Sequence, residues 1–154
     1  MVALRWSDEL LEQARQIHDR VRRRLLDLEV PGTLLLTGGT SVAGALTKGD
    51  VDLHLRVPPP EFERAVERLV TVLEPAERQI WQPTLAVFAV AEELPTGLAA
   101  TPLGSEHDRR FTLAWRRIAE DATALAEYNR IKREHHGTPR YEPEKSDFFG
   151  RLAP

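Results

Sequence analysis

Two carboxylates, Asp50 and Asp52, alternate with apolar residues in the run Asp50-Val51-Asp52-Leu53-His54-Leu55. On a β-strand, positions i and i+2 point to the same face, so both acids would share one surface. Like charges that close demand a cation between them, and a divalent ion with oxygen ligands, Mg²⁺ or Mn²⁺, is the usual occupant. His54 continues the alternation and is a third candidate metal ligand, since imidazole binds metals readily. Its alternative is a packed strand histidine. Upstream lies Gly38-Gly39-Thr40-Ser41-Val42-Ala43-Gly44. Gly38 and Gly39 let backbone N–H groups approach a phosphate closely, and Thr40 and Ser41 add hydroxyls. Lys48 is in range to neutralise a phosphate as a point charge.

A phosphate cradle followed by a metal-binding acid pair points to nucleotidyl transfer, with Asp50 and Asp52 as the catalytic carboxylates. Such ions activate an attacking oxygen and neutralise the leaving group. A third carboxylate would normally come from a neighbouring strand. The candidate strand, 84–90, contains none, and Glu92 and Glu93 lie just beyond it. The plainer reading is that Asp50 caps the strand start, Asp52 contacts the glycine turn, and Gly-Gly is simply a tight turn.

The elements that must position these residues follow from periodicity. Leu10, Ala14, Ile17, Val21 and Leu25 recur at helical spacing, so residues 8–28 read as an amphipathic helix with Ser7 as its N-cap. Residues 33–37 form a short apolar strand that Gly38-Gly39 breaks, 41–47 read as one or two helical turns, and 50–57 as a second strand. Pro58-Pro59-Pro60 stops that strand and starts a helix. Its apolar face is Phe62, Ala65, Val66, Leu69, Val70 and Leu73, and Glu74-Pro75 closes it. Residues 84–90 read as a strand and 98–103 as a return strand. From Glu106 onward the chain is helical, broken at Gly137-Thr138-Pro139, with a last short helix near the end. The result is an α/β (α+β) arrangement, a small mixed sheet flanked by helices, read as a single domain over residues 1–154. The strands are too few for a doubly wound nucleotide fold.

Bulk properties narrow the class. The chain has 154 residues, which suits one core. Its net charge of −3 gives no global basic field for nucleic acid, so a nucleic-acid partner is disfavoured. Cysteine is absent, which excludes disulfides and thiolate metal sites. No apolar run approaches the ~18 residues of a membrane span, and the N-terminus lacks a signal-peptide apolar stretch. A cytoplasmic protein with no membrane partner is the expectation.

The run Gly38-Gly39-Thr40-Ser41-Val42-Ala43-Gly44-Ala45-Leu46-Thr47-Lys48, leading to Val51-Asp52-Leu53, resembles the signature of the GrpB family. That family carries Gly-Ser-Thr-Ser-Val-Pro-Gly, a Lys, and an Ile-Asp-Ile-type strand. Leu113-Ala114-Trp115-Arg116 is similar to its helix ending in Phe-Arg. Ala126-Glu127-Tyr128-Asn129-Arg130-Ile131-Lys132 is similar to its Ala-Glu-Tyr segment. Tyr141 with Lys145-Ser146-Asp147-Phe148-Phe149 is similar to its closing motif. The resemblance runs from about residue 34 to 150. It implies a nucleotidyltransferase-like fold, with Arg116, Lys132 and Lys145 as further candidates for binding nucleotide phosphates.

The departures are Gly39 for the signature serine, Ala43 for its proline, Thr37 where a histidine is frequent, and no His-x-His motif near residues 98–103. In the other direction, Asp50 restores the Asp-x-Asp pair of active nucleotidyltransferases. The expected ligands are Mg²⁺ or Mn²⁺ with a nucleoside triphosphate, and a small-molecule or protein acceptor. The alternatives are an inactive binding or scaffold module, like the domains of this family fused to dephospho-coenzyme A kinases, and a hydrolase or other phosphotransferase using the same metal face.

Overall fold

The computed structural model describes residues 3–153. Five helices and seven strands follow in the order β1 (Arg5–Trp6), α1 (Leu11–Asp27), β2 (Thr33–Thr37), β3 (Leu46–Thr47), β4 (Val51–Val57), α2 (Phe62–Val72), β5 (Glu74–Pro75), β6 (Ala86–Val90), β7 (Thr96–Pro102), α3 (Glu106–Glu120), α4 (Ala122–His135) and α5 (Tyr141–Leu152). Among the described residues, β2-β4-β7-β6-β5 form one sheet, and β1 pairs with β3 in a small second one. The expectation of a mixed sheet holds, because β4 and β7 run parallel while the other pairs are antiparallel.

The central strand β4 sorts its side chains cleanly. Val51, Leu53, Leu55 and Val57 are all buried against Ala14, Ile17 and Val21 of α1 and Phe62, Ala65 and Leu69 of α2. That alternation assigns Asp52, His54 and Arg56 to the opposite face. A second core forms there, where Ile118 of α3, Tyr128 and Ile131 of α4 and Phe148 of α5 enclose Val42 and Ala45. The two cores thus clamp the loop between β2 and β4 from one side and the strands from the other.

Two local expectations are corrected and a third is extended. Ser7 does not cap the first helix; its buried hydroxyl donates to the Val42 carbonyl and its amide to Ala45, so it pins the loop instead. Residues 41–47 do not form helical turns. A single 3-10 turn, Gly39–Ser41, is followed by irregular chain and β3. Gly44, at φ +80°, donates its amide to Asp8, and Asn129 of α4 accepts from the Leu46 amide while donating to the Gly44 carbonyl. Glu74-Pro75 ends α2 but also forms the edge strand β5 against β6. No described helix is long and apolar enough to cross a membrane.

Candidate functional site

The glycine turn is shaped to receive Asp52. Gly38 sits at φ +77°, and a β-carbon there would come within 2.1 Å of an Asp52 carboxylate oxygen. Only glycine permits this approach in this conformation. At Gly39 a β-carbon would stand 2.5 Å from the Tyr128 hydroxyl. In this chain the Tyr128 hydroxyl therefore fills the space that a side chain at position 39 would need.

Thr40 is turned inward and fully buried. Its hydroxyl donates to the Asp50 carbonyl at 2.5 Å and accepts from Thr47, 2.9 Å away. It fastens the turn to the start of β4, so the expected role of its hydroxyl on a phosphate is corrected to a structural one. Ser41 donates to the Gly38 carbonyl at 2.7 Å. Asp50 precedes β4, and Lys48 lies 3.3 Å from its carboxylate.

Lys132 and Lys145 converge on this place from α4 and α5. The Lys132 ammonium stands 5.7 Å from the Tyr128 ring and 5.1 Å from the Tyr141 ring, and Lys145 is 5.3 Å from Tyr141. Lys145 is also ion-paired with Glu142 at 3.6 Å, whereas Lys132 is held over its aromatic faces without an ion pair to a described residue. Asp52 keeps a face open to solvent, yet protein crowds it on its other sides. That crowding, with the like charge of Asp50, raises its pKa to about 6 against the pull of Lys132, Lys48 and Lys145. Lys132 is buried. Burial and the neighbouring Lys145 and Lys48 lower its pKa to about 8, opposed by Asp52 and Asp50. Burial chiefly, then Tyr141 and Asp52, lifts the Tyr128 phenol above its ordinary range. Two acids and three lysines thus form one interacting group around the glycine turn.

Two expected members stand apart. His54 shares the face of Asp52 but is buried, with Nε2 2.7 Å from the Thr101 hydroxyl and its ring edge-on to Phe111. Burial lowers its pKa to about 4, so its 3.5 Å approach to Asp108 is not an ion pair. Among the described residues, no three His, Cys, Asp or Glu side chains gather to hold an ion. The set Asp50, Asp52 and His54 is therefore not assembled. Glu92 and Glu93 are both bound to Arg20 of α1. Arg116 lines a separate cavity between α1, β2 and α3, which Ser41 also reaches.

Asp108 and Asn129 escaped the sequence reading. Asp108 is fully buried and takes a two-pronged contact from Arg56, at 2.7 and 2.9 Å. A signal did exist, because a charged residue within a strand whose alternate positions are buried is often matched by an opposite charge from a neighbouring element. Asn129 offered none, since its partners lie in a loop far away in sequence.

No protein-family model matches the sequence, nor does any curated protein. Solved structures do. The conserved protein GrpB from Enterococcus faecalis superposes with a TM-score of 0.65 at 11% identity, over 97% of this chain and 98% of that one. The chain has the GrpB fold. The Cid1 poly(U) polymerase, in a crystal structure with Mg and 3'-dATP bound, superposes with a TM-score of 0.50 at 14% identity, over 92% of this chain and 49% of that one. The architecture of this chain is thus also nucleotidyltransferase-like, as the resemblance of the glycine motif and the C-terminal segments implied. Identities this low carry the architecture alone. In this GrpB-fold chain the two tyrosines and two lysines of the C-terminal helices close over the glycine turn.

Proposed function

We propose that this chain is a nucleotide-binding protein of the nucleotidyltransferase-like fold, taking a nucleoside triphosphate with Mg²⁺ at the turn of Gly38 to Ser41. The observation that carries this reading is the convergence of Lys48, Lys132 and Lys145 on Asp50 and Asp52 beside a backbone that only glycine can form. The three ammonium groups suit a polyphosphate. Mg²⁺ is held by one or two carboxylates plus substrate phosphates rather than by an all-protein cage. Two carboxylates without a third ligand therefore fit an ion that arrives with its nucleotide, and Asp50 and Asp52 would hold it there. When bound, the ion neutralises phosphate charge. The protein's own groups orient the phosphates, and Tyr128 and Tyr141 position Lys132 among them. The magnesium and 3'-dATP in the Cid1 structure are consistent with such a ligand.

Binding without turnover is favoured over transfer, because Glu92 and Glu93 are engaged by Arg20 and no other carboxylate joins the pair among the described residues. Nucleotidyl transfer to an acceptor is the second reading, and the cavity beside Ser41 supports it.

The test is a thermal shift with each nucleoside triphosphate and Mg²⁺ or Mn²⁺. A ligand in hundredfold excess over its Kd should raise the melting temperature by roughly 5–10 °C. The shift should require the metal and vanish in Asp52→Asn. If no nucleotide shifts the wild type at millimolar concentration, the scaffold reading replaces this one.

A further inference from the structure

The cavity between α1, β2 and α3 has a volume of about 610 Å³, well inside the roughly 300–1,000 Å³ of small-molecule sites. Arg15 of α1 and Arg116 of α3 line it together with Thr37, Ser41 and Trp115, and none of its lining residues is a carboxylate. Arg56 also lines it, but Asp108 matches that charge. Arg15 and Arg116 form no ion pair with a described residue. Two unmatched guanidinium groups from different helices therefore meet one cavity. Its aromatic wall is fixed, because Trp115 packs against Tyr128 at 5.5 Å and Phe149 at 5.4 Å. Leu11, Leu35 and Val42 add apolar surface.

Planar cations recognise carboxylate and phosphate oxygens in pairs, and a fixed indole beside aliphatic side chains suits a flat apolar body. We propose that this cavity binds a small aromatic anion, its carboxylate or phosphate on Arg15 and Arg116 and its ring against Trp115. Ser41 belongs both to this cavity and to the glycine turn, and Thr37 is the sheet partner of Asp52. The occupant therefore lies next to the polyphosphate site, where an acceptor would stand. That last step rests on the function proposed above; the binding itself does not.

Titration of the ¹⁵N-labelled protein with phenyl phosphate and with benzoate tests this, with phenol and inorganic phosphate as probes of ring and charge alone. At least one aromatic anion should bind and move the Trp115 indole resonance, and comparing the two shows which anionic group is preferred. Arg15→Gln and Arg116→Gln should each weaken it about tenfold, while Lys145→Gln leaves it unchanged. The proposal is overturned by an absence of binding by both anions, by phenol or inorganic phosphate binding as well as they do, or by arginine variants that bind normally. Loss of binding in Lys145→Gln would also overturn it, since the anion would then occupy the lysine cluster. Asp52→Asn separates the two sites, because it should abolish the nucleotide shift and spare the aromatic anion.

Discussion

Asp52 and Asp108 serve the same face of β4 and have opposite fates. Asp108 is fully buried, yet both its oxygens are occupied. Arg56 donates to each of them, and the Gly104 amide donates to Oδ2 at 2.8 Å. Burial presses its pKa upward, but these donors outweigh it and hold the carboxyl below the usual carboxylate range. Asp52 is far more open to water, and its pKa is nevertheless raised to about 6. Crowding by protein pushes both carboxyls upward, and only Asp108 has donors that outweigh it. Asp52 forms no ion pair with a described residue, and Asp50 repels it. A satisfied carboxylate holds two elements together, whereas Asp52, lacking such donors and under the field of three lysines, is the group that the proposed nucleotide site would use.

Breaking each carboxylate should separate these roles. Asp108→Ala leaves Arg56 without its partner and the Gly104 amide without its acceptor. Removing one member of a buried pair costs about 3–5 kcal/mol. The low end is expected here because Arg56 reaches solvent. Urea denaturation measures it, and a loss near zero would mean that the Arg56 network holds nothing together. Asp52→Asn, on the other side of the comparison, should not destabilise the fold.

A smaller effect sharpens the comparison at the turn itself. Gly38→Ala puts a β-carbon against the Asp52 carboxylate in a left-handed conformation. The backbone strain and displaced side chain together cost about 2–3 kcal/mol. Gly38→Ala combined with Asp52→Ala should recover part of that loss, because the clash disappears. Equal stability losses with and without Asp52 would show that the glycine serves only the backbone.

How much of this was legible in the sequence depends on distance along the chain. The alternation of β4 and the apolar stripe of α2 are local patterns, and both elements appear within a residue or two of expectation. The glycine turn beside an acidic strand was equally readable. Lys132 and Lys145 were reached only through the family resemblance, since nothing in their spacing says that α4 and α5 fold back over the turn. The same blindness misassigned His54. Its alternation with Asp52 was right, but Thr101, Asp108 and Phe111, which claim its ring, come from other elements. Residues 41–47 failed as a helix for the same reason, because Ser7, Asp8 and Asn129 hold them from afar.

The smallest effect is the one most specific to the unsatisfied group, its response to pH. Asp52 carries a pKa of about 6 in the fold against 3.8 for an ordinary aspartate. Between those values the unfolded chain has released a proton that the native state still holds, so stability falls as pH rises through that window. Lys132 carries about 8 against 10.5. There the unfolded chain holds the additional proton, and stability rises as pH climbs from about 8 toward 10.5. Between the two windows both groups are charged and neither is at ease, and that is the state a magnesium polyphosphate requires. Melting temperatures of Asp52→Asn should therefore lack the decline that wild type shows on the acid side. Calorimetric affinity for MgATP should peak between about 6 and 8, falling as Asp52 gains a proton below and Lys132 loses one above. A flat affinity across that range would mean that neither group touches the ligand, and Asp52 would then join Asp108 as part of the architecture.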